Sequence, residues 1–330
     1  MNLPKIQFKL NDISKYRQEI FGIAIISVIV FHYFEGVYKA SGLGFIYRSF
    51  AGLILGTIGS VGVDIFIFLS GYGIYYSLKN NLSWIAFFSR RLKRVIIPYL
   101  IFGLFFWAIK DFYISHVSID RFLYDYSLLS FWGEGLRTFW YISFICVLYL
   151  ISPMVYSKGP NGILIVSVLC VILCICLYII APQVFKNTEI ALCRGPIYFI
   201  GMYIAHLTET KNKSVFDARN VLLFLSLSIP VKIIFTLSGF ELRRIFNGFY
   251  GLFLIAIFIF CRKATGEKEN RLTHFLILAG EYSLELYITH VGIRSLMGVL
   301  HYPTYDLFNY VLLILFSIIL SAVLFLLQKK

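Results

Sequence analysis

One histidine stands at the end of the apolar run Glu19-Ile-Phe-Gly-Ile-Ala-Ile-Ile-Ser-Val-Ile-Val-Phe-His32. An ionisable side chain inside an apolar span is expensive to bury, so it marks either a functional site or a group paired by a neighbouring helix. A second such group is Asp64, within Val61-Gly-Val-Asp-Ile-Phe-Ile-Phe-Leu-Ser-Gly71. His32 and Asp64 are candidates to meet. A carboxylate on the distal ring nitrogen would fix the imidazole tautomer and make it a better general base. The alternative is a structural polar clamp between two helices. Arg91 and Arg94, in Arg90-Arg-Leu-Lys-Arg94, are three residues apart and share a helix face. They suit a phosphate-rich ligand, or plain anchoring to anionic lipid. Ser283, Tyr287 and His290 fall on one face of a further helix and must look into the interior or a cavity. Trp140-Tyr141 reads as an aromatic pair at a membrane interface. Arg17 and Glu19, at the mouth of the His32 run, read as a local interfacial pair. Arg17 lies about 22 Å from His32 at 1.5 Å per residue and cannot touch it.

The elements that must position these groups are membrane helices. Hydrophobic residues make up 59% of the 330, charged residues only 14%, and the mean hydropathy is +0.80. That composition excludes an ordinary soluble domain and points to an all-α polytopic membrane protein. The net charge of +13 comes from Lys and Arg scattered among loops, not from one basic patch, so nucleic acid is not an expected partner. Cys170, Cys174 and Cys176 sit in an apolar run without a nearby His or acid, so no metal site is expected there.

A spanning helix needs about 20 mainly apolar residues. About ten segments qualify: 20–38, 50–78, 95–112, 138–156, 162–181, 194–208, 220–239, 245–262, 274–296 and 306–328. The second is glycine-rich and expected to bend or break. One membrane domain is expected over 1–330, with a short cytoplasmic segment 1–18 and no appended soluble domain. Lys5, Lys9, Lys15, Arg17, the 90–94 cluster, Lys211, Lys213, Arg262, Lys263, Lys268, Arg271, Lys329 and Lys330 then share one side. By the positive-inside rule that side is the cytoplasm, and it holds both termini. The longest outer loop, about 113–137, carries Asp120, Arg121, Asp125, Glu134 and Arg137 among aromatic residues. It suits sugar binding, or an amphipathic helix lying on the membrane.

Taken in order, these clusters resemble the membrane acyltransferase family 3, which includes O-antigen, capsule and peptidoglycan O-acetyltransferases. GIAIISVIVFH is similar to its first-helix motif, and VGVDIFIFLSG, with Ser70, to its second. SRRLKRVIIP resembles its Arg-x-x-Arg and proline signature, and WYISFICVLYLISPM its Trp motif. RGPIYFIGM, beginning at Arg194, and GEYSLELYITH resemble the later signatures. The likeness runs from about Arg17 to His290. It implies transfer of an acetyl group from cytoplasmic acetyl-CoA to a hydroxyl of a surface glycan or its undecaprenyl-linked repeat unit, in a bacterial inner membrane. His32 and Asp64 would be catalytic, and Arg17, Arg91 and Arg94 would bind the donor. Glu19, Ser70, Glu134, Trp140, Arg194, Ser283, Tyr287 and His290 would support the substrate. A thioester is already activated, so no permanently bound cofactor is expected. The family commonly carries Arg or Lys eleven residues before the histidine. Here Phe21 holds that position, and Arg17, one turn earlier on the same face, is expected to take over. A transporter without covalent chemistry is the other class that such a chain would fit, although no inverted repeat is evident.

Overall fold

The computed structural model describes residues 7–40, 42–56, 61–80, 83–210, 216–237 and 242–328. Lys5, Lys211, Lys213, Lys329 and Lys330, and parts of the 50–78 and 220–239 segments, lie outside them. The described chain is helical almost throughout. The exception is a two-residue antiparallel pairing of Gln7–Phe8 with Phe216–Asp217.

The helices that carry the argument are α1 (Arg17–Lys39), α2 (Val61–Lys79), α3 (Trp84–Trp107), α4 (Trp140–Tyr156), α5 (Gly159–Ile180), α6 (Pro182–Leu192), α7 (Gly195–Thr210), α8 (Arg243–Ala264), α9 (Arg271–Glu281), α10 (Ser283–Val299) and α11 (Leu307–Gln328). Among the described residues, seven helical stretches are long and apolar enough to cross a membrane. They are α1, α2, α5, α8 and α11, together with Lys93–Ile114 and Pro182–Thr210. The remaining segments read as spans are shorter or interrupted. α4 has 17 residues. The 220–239 segment is split into Ala218–Ser226 and Ser228–Leu237, and Pro230, in the first turn of the second piece, has no N–H to continue the ladder. The 274–296 segment breaks at Tyr282 into α9 and α10. The glycine-rich 50–78 segment likewise resolves into Phe45–Ile54 and α2.

α2 is the buried axis. Its residues from Val61 to Tyr75 are nearly all shielded, which is why the sequence there reads apolar on every side rather than on one stripe. Small residues set how closely its neighbours approach. A Cβ on Gly71 would land on the Tyr198 carbonyl of α7, and one on Gly201 would land on the Phe68 carbonyl of α2. α1 and α9 meet in the same manner, through Gly22 against Leu276 and Gly280 against Gln18. A Cβ on Gly62 of α2 would land on the Ala24 carbonyl of α1, so close contacts set the depth and rotation of both α1 and α7 relative to α2, and thereby what His32 and Asp64 face. α3 contains Pro98 and runs into a π-helical stretch, Ala108–Ile114, that turns Asp111 inward. Such bulges are rare and locally displace one side chain from the α-helical face.

Candidate active site

Two cavities lie at opposite ends of α1 and share one residue, Tyr287. The first is small, about 90 Å³, and is lined by Arg17, Phe21, Ser70, Arg91, Arg94, Tyr141, Ser283 and Tyr287. It gathers Arg91 and Arg94, read from the sequence as a phosphate clamp, with Arg17, which the family resemblance adds to the donor side. Arg91 donates to the Gly73 carbonyl at 3.1 Å and to the Ser77 hydroxyl. Arg17 lies against Gly73, where a Cβ would meet its guanidinium. It stacks over Phe21, 5.3 Å from the ring centroid, so Arg17 reaches the cavity that Phe21 also lines. A third cavity, about 320 Å³, adjoins on the same side and is lined by Ser14, Tyr72, Tyr76, Asn80 and Arg90. Arg17 and Arg91 belong to both. Their charges therefore stand between a polar outer chamber and a narrow inner one.

Arg17 does not pair with Glu19. The Glu19 carboxylate instead takes Arg262 of α8, with Nε at 2.9 Å. Arg17 reaches Gly73 of α2 because α1 packs along α2. Glu19 points to the opposite side of α1, where it ties the helix to α8.

The second cavity, about 300 Å³, holds His32 and is lined also by Glu35, Arg137, Trp140, Arg194, Arg244 and Arg294. His32 Nδ1 is 3.5 Å from Glu35 Oε2, an ion-pair distance for the protonated ring but longer than an ordinary hydrogen bond. Glu35 is itself held by Arg294 at 2.7 Å and by Lys39 at 2.7 Å. The His290 ring lies 5.5 Å from that of His32. His290 is fully buried, and its Nε2 is 3.4 Å from the Tyr310 hydroxyl, which donates to the Ile29 carbonyl. The stripe read from α10 is therefore real but divided: Ser283 and Tyr287 line the first cavity, and His290 backs His32.

The expected His32–Asp64 couple is not formed. Asp64 pairs with Arg194, Nε to Oδ1 at 3.2 Å, and both are buried. Arg194 also donates to the Ile190 carbonyl at 2.5 Å and stacks on Trp140, 5.2 Å from the ring. A buried carboxylate demands a cation close by, because leaving either charge uncompensated is costly. Arg194 meets that demand, and the carboxylate that faces His32 is Glu35. Glu35 was missed from sequence, although it lies three residues beyond His32 and thus on the same helix face. Arg294, four residues beyond His290, carried a similar signal.

Trp140 is not an interface anchor: it is buried as the platform beneath Arg194. The residue before it, Phe139, has φ of 58°, an uncommon conformation for a bulky side chain. Its ring is clamped edge-on by Tyr99, Phe106 and Trp107, and this turn starts α4 with Trp140 inward. The outer loop differs from expectation too. Two of its carboxylates are already engaged: Asp125 is buried and takes Arg121 at 3.1 Å, and both oxygens of Glu134 accept from Arg121 at 2.7 Å. Glu134 thus steadies the loop and does not line the His32 cavity. The loop contribution to that cavity is Arg137.

Membrane-length helices, a histidine inside one of them and two cavities that share a lining tyrosine define the class: a polytopic membrane protein with a charged, histidine-bearing interior. The acyltransferase domain family matches residues 22–327, nearly the whole chain, and the chain belongs to that family, the membrane acyltransferases 3 that its motifs resemble. No curated protein and no solved structure matches it.

Proposed function

We propose that this chain is a membrane O-acetyltransferase. It moves an acetyl group from cytoplasmic acetyl-CoA to a hydroxyl of a cell-surface polysaccharide or its undecaprenyl-linked repeat unit, in a bacterial inner membrane. The observation that carries the reading is the pair of cavities that both have Tyr287 in their walls, one with Arg17, Arg91 and Arg94, the other with His32 and Glu35. Three guanidiniums at one end suit the phosphates of the donor, whose thioester arm extends past Tyr287 toward His32. The acceptor enters from the opposite end. His32 takes the proton of the attacking hydroxyl, and Glu35 supports the imidazolium that results. The new C–O bond forms as the C–S bond breaks, and the thiolate leaves toward the donor side. Direct attack and transfer through an acetylated His32 both use this geometry. In this reading the termini face the cytoplasm. The shorter helix α4, the split 218–237 segment and α9–α10 complete about ten crossings.

A transporter would share the two cavities but would release no thiol. The test is His32→Ala in cells that make the glycan, with the glycan's acetyl groups read by NMR. Their loss, with the variant still in the membrane, is expected. Undiminished acetylation refutes the proposal.

A further inference from the structure

We infer that the acceptor carries an anionic group, held by Arg137 and Arg244 at the mouth of the His32 cavity. This rests on the transferase reading and names the substrate class of the same site. Four guanidiniums line the cavity: Arg137, Arg194, Arg244 and Arg294. Among the described residues, three carboxylates serve them. Asp64 takes Arg194. Glu35 takes Arg294, but is shared with Lys39 and faces His32. Glu189 takes both remaining arginines, one on each oxygen, with Arg137 at 3.2 Å and Arg244 at 2.5 Å. Positive charge thus exceeds negative in a partly water-excluded chamber, and the excess is concentrated at the two arginines that divide one carboxylate.

Sharing one carboxylate leaves both arginines with guanidinium donors to spare, which an entering anion can take up. The position also matters. Arg137 and Arg244 are 48% and 21% exposed at the side chain, whereas Glu189 beneath them is 8% exposed. Their free faces look outward into the cavity, where an entering group meets them first. At about 300 Å³ the chamber is at the lower bound for a small-ligand site. The charge must therefore lie on the acylated sugar or the unit next to it. A carboxylate or a phosphate satisfies the same geometry, since both accept bidentate guanidinium bonds.

The test uses the full-length chain in detergent and three probes: methyl β-D-glucuronide, glucose 1-phosphate and the neutral methyl β-D-glucoside. Binding is read from the shift in melting temperature as each probe is titrated. An anionic probe is expected to stabilise the protein and the glucoside not, with the difference shrinking at about 0.5 M salt. Arg137→Gln and Arg244→Gln should each weaken the anionic probe roughly tenfold, the order of one charge-assisted hydrogen bond. Arg244→Lys keeps the charge and should retain part of the effect, which separates lost binding from lost folding. A response to the glucuronide alone marks a uronic acid acceptor, and a response to the phosphate alone marks a sugar phosphate. Equal shifts with the glucoside, no shift with any probe, or variants that bind as well as the parent overturn the inference. Thiol release from acetyl-CoA is followed on the same samples. Anion binding without thiol release counts against the transferase reading, whereas thiol release without anion discrimination counts against this inference alone.

Discussion

Glu35→Gln tests which carboxylate serves His32. The substitution keeps the shape of the side chain and removes its charge. In the structure the Glu35 carboxylate is 3.5 Å from His32 Nδ1, while Arg294 and Lys39 hold it from the other side. An imidazolium formed during transfer would lose its nearest negative charge, and Arg294 would become a repelling neighbour. General acid–base catalysis contributes about 10²–10⁴-fold. Loss of the supporting group should lower kcat by about 10²-fold, or ~2.7 kcal/mol at 1.36 kcal/mol per factor of ten. KM for acetyl-CoA should change little, because the donor arginines line the other cavity. Asp64→Asn is the contrast. It leaves Arg194 charged and buried without its carboxylate, and breaking a buried pair by removing one partner costs about 3–5 kcal/mol. That variant should melt early. Thiol release from acetyl-CoA by purified protein gives kcat and KM, and thermal melting in the same detergent gives stability. A fall in kcat confined to Asp64→Asn with unchanged melting, together with a normal rate in Glu35→Gln, would refute the assignment.

Further expectations follow from the donor end and from the glycine contacts. Arg91→Gln removes a guanidinium that bridges α3 to the Gly73 carbonyl and Ser77 and lines two cavities. It should raise KM for acetyl-CoA at least about tenfold, and steady-state kinetics against donor concentration will show whether it does. Gly71→Ala places a Cβ on the Tyr198 carbonyl and should destabilise the α2–α7 contact by about 1–3 kcal/mol. Gly298→Ala, in α10 with open space around the new methyl, should instead stabilise by about 0.4–1 kcal/mol. Melting temperatures of the two variants must move in opposite directions.

Composition and the order of the polar clusters were enough to define an all-helical membrane chain and its family. Each motif carries its residue types in a fixed sequence order, and burial in lipid leaves few reasons for charges to interrupt apolar runs. Helix periodicity also placed Ser283, Tyr287 and His290 on one face, and Arg91 and Arg94 on another, because those relations lie within one helix. What the sequence left open were the partners across helices. Asp64 goes to Arg194 and not to His32, and Glu19 goes to Arg262, 243 positions away, and not to Arg17. Those choices depend on how far each helix is rotated and how deep it sits, and periodicity encodes neither. Backbone contacts at Gly62, Gly71 and Gly201 set them. They turn Asp64 toward α7 and leave the far end of α1 to supply its own carboxylate, Glu35, to His32. The residues of the site were thus legible in the chain, and their pairing was decided by the packing of α1 and α7 on α2.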